Sequence, residues 1–189
     1  GVIKVHNFQE SLQKSNEAED NPIWERIYRK AFPDFVGMQT YREDGFWQRQ
    51  GVDRGVLLKT SKQLLIDEKV RTKDYGDILL EYLSSEEHKT PGWICKPLQC
   101  DYIAYLIEPA SRCYLLPTIQ LQSAWNEFGE QWMRDYKRIE AKNETYTTIS
   151  CAVPTKVLFP AIGKQLRVQL EPKEKPLSVF GQAYQGISP

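Results

Sequence analysis

Between Gly51 and Arg71 the chain reads Gly-Val-Asp-Arg-Gly-Val-Leu-Leu-Lys, then Thr-Ser-Lys, then Gln-Leu-Leu-Ile-Asp-Glu-Lys-Val-Arg. Two short apolar runs separated by the polar break Thr60-Ser61-Lys62 read as paired strands joined by a tight connection. Side chains two apart on a strand point the same way. Leu64, Ile66 and Val70 therefore share one face with Glu68, while Asp67, Lys69 and Arg71 share the other. Asp53 has the parity of Gly55, Leu57 and Lys59. It comes opposite Asp67 only if the connection has an odd number of residues, such as three, or if a bulge near Gly55 corrects the phase. A two-residue turn would put Asp53 opposite Glu68, on the wrong face.

The neighbouring segments suggest what surrounds this hairpin. Residues 3–19 are polar and weakly helical. Asn21-Pro22 reads as a cap and first helical residue, followed by a helix to Phe32 whose stripe is Ile23, Trp24, Ile27, Tyr28 and Ala31, stopped by Pro33. Extended segments are expected over Phe35–Arg42, about Trp47–Lys59, Gln63–Arg71, Tyr102–Ile107, Arg112–Leu116 and Thr145–Val153. Asp77–Leu83 fits a strand or a short helix. Pro117 opens a helix carrying Ile119, Leu121, Ala124, Trp125 and Phe128, with a break at Gly129 and a second amphipathic piece over Gln131–Ile139. Val157–Ile162 is short and apolar. The order implies an α/β or α+β fold with a mixed sheet, as one domain over residues 1–170, with 171–189 as a loop or partly disordered tail.

Composition narrows the class further. The chain has 189 residues, 41% of them hydrophobic, and formal net charge zero from 25 basic and 25 acidic side chains. Whole-chain charge is thus silent on nucleic acid, although one basic face would suffice for phosphate. No apolar run approaches a membrane span, and Gly1 to His6 lacks the charged and apolar regions of a secretory leader, so no membrane partner and a cytoplasmic location are expected. Cys95, Cys100, Cys113 and Cys151 form no CxxC pair and lack histidines at zinc spacing; they read as reduced thiols, mostly buried.

Two carboxylates facing one point suit a hard divalent cation, with the main-chain carbonyl of Glu68 as a further oxygen donor. Such an ion polarises a phosphodiester and acidifies bound water, and an ammonium beside it orients or activates that water. Asp53, Asp67 and Lys69 in this setting resemble the PD-(D/E)XK nuclease superfamily, Asp53 matching its first acid and Asp67-Glu68-Lys69 its (D/E)-x-K, with Val52 where the family often has proline. The similarity covers roughly residues 20–116, and the wording of 47–71 looks like small phage or prophage nucleases. What the resemblance implies is a restriction-endonuclease-like αβββαβ core with a central mixed sheet flanked by helices, DNA as substrate and Mg²⁺ or Mn²⁺ as cofactor. A homodimer would suit cutting of two strands. A non-catalytic nucleic-acid- or protein-binding module on the same fold is the alternative.

Further acids could reach such a metal: Glu25, Asp20 or Glu17 near the first helix, and Glu81 in register with Asp77 and Leu79. Arg49, Arg54, Arg71 and Lys73 are candidate phosphate contacts, with Lys59 and Lys62 adding to the positive charge around the hairpin. Trp47 and Tyr75 are candidates for stacking on unpaired bases. Trp93, Trp125 and Trp132 are expected in the core.

Overall fold

The computed structural model describes residues 22–163 and 166–171. The expected helical segment at 3–19, together with Glu17, Asp20 and Asn21, lies outside the described residues, as does the tail beyond Glu171.

Helix α1 (Ile23–Ala31) buries Trp24, Ile27 and Tyr28. It stops at Phe32, which is extended ahead of Pro33, the conformation a following proline favours. Strand β1 (Phe35–Thr40) leads into a single-turn helix α2 (Gly45–Arg49), whose residues from Trp47 onward the sequence suggests as the start of a strand. The reason is Asp44, whose carboxylate accepts hydrogen bonds from the Phe46 and Trp47 amides at 2.9 and 3.3 Å and caps the turn. Strands β2 (Arg54–Leu58) and β3 (Gln63–Arg71) form the expected hairpin.

After β3 the chain leaves the sheet. It forms β4 (Asp77–Ser85) and β5 (Thr90–Pro91) and returns as β6 (Tyr102–Ile107), which lies parallel to β3. The helix that the resemblance implies between these core strands is absent from this crossover. Asp77–Ser85 is instead a strand, because it pairs along its length with β9 (Thr147–Pro154). Strand β7 (Arg112–Pro117) follows a 3-10 turn over Glu108–Ala110 and precedes α3 (Thr118–Asp135). That helix runs through Gly129 without a break. A methyl group there would sit 2.9 Å from the Trp125 ring, so glycine lets the indole lie flat on the helix. Strand β8 (Arg138–Lys142) begins where the sequence suggests the last residues of a second helical piece, Arg138 and Ile139, and β10 (Leu166–Gln169) closes the far edge of the main sheet. The apolar Val157–Ile162 lies in α4 (Thr155–Ile162).

The result is mixed α/β. A six-stranded mixed sheet, ordered β1-β2-β3-β6-β7-β10, curls beside a four-stranded antiparallel sheet, β5-β4-β9-β8. One face of the larger sheet (Val56, Leu64, Ile66, Ala104, Leu106, Leu115) packs on Trp24, Ile27 and Tyr28 of α1. The other (Ile103, Tyr105, Tyr114, Leu116) packs on α3, α4 and the smaller sheet, where Trp93, Trp125 and Trp132 are buried as expected. Ile119, by contrast, is 81% exposed on α3. All four cysteines are free, and only Cys95 is exposed. No described helix is long and apolar enough to cross a membrane.

Candidate active site

The hairpin register decides where Asp53 points. Arg54 pairs with Ile66, Gly55 with Leu65, Val56 with Leu64 and Leu57 with Gln63. The Leu58 amide donates to the Lys62 carbonyl at 2.9 Å, which leaves Lys59-Thr60-Ser61 as the connection. Ser61 adopts φ 63°, the left-handed residue that such three-residue hairpin loops use. Beyond the last regular pair, Arg54 with Ile66, the Asp53 amide donates to the Ile66 carbonyl at 2.9 Å and Asp53 Oδ2 accepts from the Glu68 amide at 2.7 Å, which sets the Asp53 carboxylate beside Asp67. The odd-numbered connection thus brings both acids to one face, with the hydrogen bonding turning irregular at Asp53.

On that face Asp53, Asp67 and Lys69 line a cleft of about 320 Å³, together with Arg42, Gln48, Gly51, Trp93, Lys96 and Leu98. The Lys69 ammonium is 2.8 Å from Asp67 Oδ2 and 5.6 Å from the centre of the Trp93 ring. One wall is the turn after α2, braced where the Gln99 amide donates to the Gln50 carbonyl at 2.9 Å. Gly51, at φ 68°, is needed there because a Cβ would fall 2.5 Å from the Leu98 side chain.

The electrostatics follow from crowding like charges under partial cover. Burial pushes the Asp67 carboxyl up; Lys69 pulls it back and Asp53 pushes it up again, leaving it at about 7. Burial lowers the Lys69 ammonium, but Asp67, then Asp53 and Glu81, outweigh this and hold it above its ordinary value. Lys69 is therefore a proton-bearing cation at neutral pH. Glu81 is itself raised, by burial first, and opposed by Lys69, the Trp93 amide and Lys96.

A pH-dependent stability follows. The folded protein holds the Asp67 proton up to about pH 7, whereas the unfolded chain gives it up near 3.8, so this group's contribution is lost as pH rises between the two. In chelator-containing buffer, Asp67→Asn should gain stability relative to the parent by about 2 kcal/mol between pH 4 and pH 8. Urea melts across that range measure it; parallel profiles would contradict the protonated Asp67.

The opposite face of β3 holds a charge that sequence parity placed there without explaining. The Glu68 side chain, fully buried, accepts from Arg54 Nε and Nη2 at 2.9 and 3.1 Å, from Arg42 Nη2 at 3.1 Å and from the Tyr28 hydroxyl at 2.7 Å. Burial, then the neighbouring Glu68 charge, drives the Tyr28 hydroxyl well above its ordinary pKa. Arg54 is consequently withdrawn from the candidate phosphate contacts: it is buried and committed to Glu68 through Nε and Nη2. Arg71 pairs with Asp77 and lies 5.2 Å over the exposed Tyr75 ring. Arg49 and Lys73 are exposed. Trp47 packs on Tyr41, ring centres 5.0 Å apart. Glu25 pairs with Arg29 at 2.8 Å on the outer surface of α1, and neither it nor Glu81 is among the residues lining the cleft, although the Glu81 charge acts on Lys69.

The donor set fits a hard divalent cation by its chemistry. Two carboxylates, Asp53 and Asp67, line the cleft together, and the Glu68 carbonyl points the same way as its amide, which donates to Asp53 Oδ2 at 2.7 Å. Among the described residues no group of three His, Cys, Asp or Glu side chains is arranged to hold an ion.

Sequence reasoning missed Arg42, Gln48, Lys96 and Leu98. For Arg42 a signal existed, since an acid on an apolar strand face requires a cationic partner. Compared with known proteins, the chain matches no family model, no curated protein and no solved structure.

Proposed function

We propose that this protein is a metal-dependent nuclease that hydrolyses phosphodiester bonds of DNA, on a restriction-endonuclease-like core formed by α1, β1, β2, β3 and β6. The observation that carries the reading is the convergence of Asp53 and Asp67 in one open cleft, with Lys69 2.8 Å from Asp67. The order helix, strand, two-stranded hairpin and parallel neighbour supports the same reading.

Asp53, Asp67 and the Glu68 carbonyl would hold Mg²⁺ or Mn²⁺. When bound, the ion would polarise the phosphodiester and lower the pKa of a coordinated water. Lys69, kept as ammonium by Asp67, orients the attacking water and offsets negative charge as it grows on the non-bridging phosphate oxygens. Water adds its oxygen to phosphorus, the bond to the leaving oxygen breaks, and the displaced proton ends on that oxygen. Lys96 and Gln48, exposed at the cleft wall, are placed to meet the flanking backbone.

The test is cleavage of single-stranded, double-stranded and branched DNA with Mg²⁺ or Mn²⁺, with Asp67→Ala protein purified in parallel to control for contaminating nucleases. Metal-dependent cutting that EDTA stops and the variant lacks is the expected result. A second reading, a non-catalytic binding module, is favoured by the presence of only two converging acidic side chains among the described residues. It predicts DNA retention with no cleavage under any metal.

A further inference from the structure

We infer that the cleft is closed at one end and takes DNA by a free strand terminus, so that the protein removes nucleotides from ends instead of cutting within a strand. The inference deepens the nuclease reading above and rests on it. The closed end is built on the hairpin itself. Gly55 pairs with Leu65 two residues from Asp53 and Asp67 respectively, on the face that carries both acids. That pair is roofed. A Cβ on Gly55 would fall 2.8 Å from the Tyr41 ring, so the phenol lies directly over the glycine. Leu65 is held by the chain on its other side: its amide donates to Asp101 Oδ2 at 2.8 Å, and its carbonyl accepts from the Asp101 amide at 2.7 Å. Tyr41, Trp47, Leu65 and Leu98 all pack against the same apolar core.

The two walls also meet. The Gln99 amide bonds the Gln50 carbonyl at 2.9 Å, and Leu98 is seated against the Gly51 backbone. The wall that carries Trp93 and Lys96 is fixed in turn, because Gln122 Nε2 on α3 donates to the Lys96 carbonyl at 2.8 Å and the Ile94 amide donates to the Glu81 carbonyl at 3.2 Å. Neither wall can therefore swing aside without breaking main-chain bonds. The exposed lining residues are Gln48 and Lys96, one on each wall, and they mark the mouth. Inside it the Asp67 side chain is 6% exposed, so the reacting phosphate has to be carried down to the metal ligands. The space of about 320 Å³ is at the small end of pockets that enclose a single small molecule, room for about one nucleotide. An internal phosphodiester would have to descend with the strand both entering and leaving by this one mouth. A terminus needs one passage only, and Lys96 then meets the backbone that trails out.

The experiment compares circular DNA with the same molecule linearised at one site, each incubated with the full chain and Mn²⁺, with Asp67→Ala protein as the blank. Single-stranded and duplex forms are both run, and the form cut faster when linear is the one compared. The linear molecule should be degraded at least about 10²-fold faster than the circle, with an end label released first. A smaller ratio overturns the inference and leaves the nuclease reading standing. No cutting of any form, with Mn²⁺ or Mg²⁺, overturns both. Leu98→Ala opens the closed end and should raise the rate on the circle about tenfold or more over the parent's. An unchanged circle rate in folded Leu98→Ala protein, checked by thermal unfolding, overturns this wall as the cause. If the variant does not fold, the parent's ratio of linear to circular cutting decides.

Discussion

Asp67→Ala is expected to reduce metal-dependent DNA cleavage by at least about 10³-fold, with little loss of folded protein. Asp67 sits mid-strand on β3, anchored between β2 and β6, and its side chain is only 6% exposed. It is one of two acidic side chains that converge in the cleft, so truncation halves the anionic donor set while the β3 backbone stays paired. The variant also removes the partner of Lys69. Lys69→Met separates the two effects. It should slow hydrolysis by about 10²-fold or more while Mn²⁺ still binds, because it deletes a cation and no ligand. Single-turnover cleavage combined with Mn²⁺ titration reads both quantities. Undiminished cutting by Asp67→Ala would remove this cleft from the chemistry, and an unchanged rate in Lys69→Met would remove Lys69.

The second large effect concerns stability. Glu68→Ala should destabilise the fold by about 3–5 kcal/mol, the usual consequence of removing one partner from a buried ionic network. The loss leaves two guanidinium groups and a phenol under the sheet without the acid that joins them, at a point where α1, the segment after β1, β2 and β3 all meet. Glu68→Gln, which keeps the shape and one acceptor, should lie between. Denaturant melts give the values; a Glu68→Ala protein within about 1 kcal/mol of the parent would show that the network contributes no net stability.

How much of this was legible beforehand depends on the range of each interaction. Alternation assigned Leu64, Ile66 and Glu68 to one face of β3 and Asp67 and Lys69 to the other, since a strand's geometry is local. The parity argument for Asp53 was equally local, and the structure resolved it through the Lys59-Thr60-Ser61 loop. What remained hidden was set at long range. Asp77–Leu83 fits strand or helix until its pairing with 147–154 is known. Gly129 looked like a break because nothing in one dimension reveals the Trp125 ring over it. Arg42, Lys96 and Leu98 come to the cleft from loops whose only link to β3 is tertiary. Arg54 misled for the opposite reason: its charge suggested the surface, while Glu68 draws it inside.

The three-residue connection between β2 and β3 has a consequence for how such a sequence can change over generations. Lys59, Thr60 and Ser61 belong to neither core cluster and all lie in the exposed turn; Ser61, at φ 63°, admits only residues that tolerate the left-handed region, while the letters at Lys59 and Thr60 are free to drift. Their number is not. Losing or gaining one residue would re-phase the hairpin and turn Asp53 toward α1, whereas a change of two would restore the pairing. The gene can therefore be rewritten here by substitution but edited in length only in even steps, and a frame-preserving indel of one codon would act on catalysis as severely as deleting the acid itself.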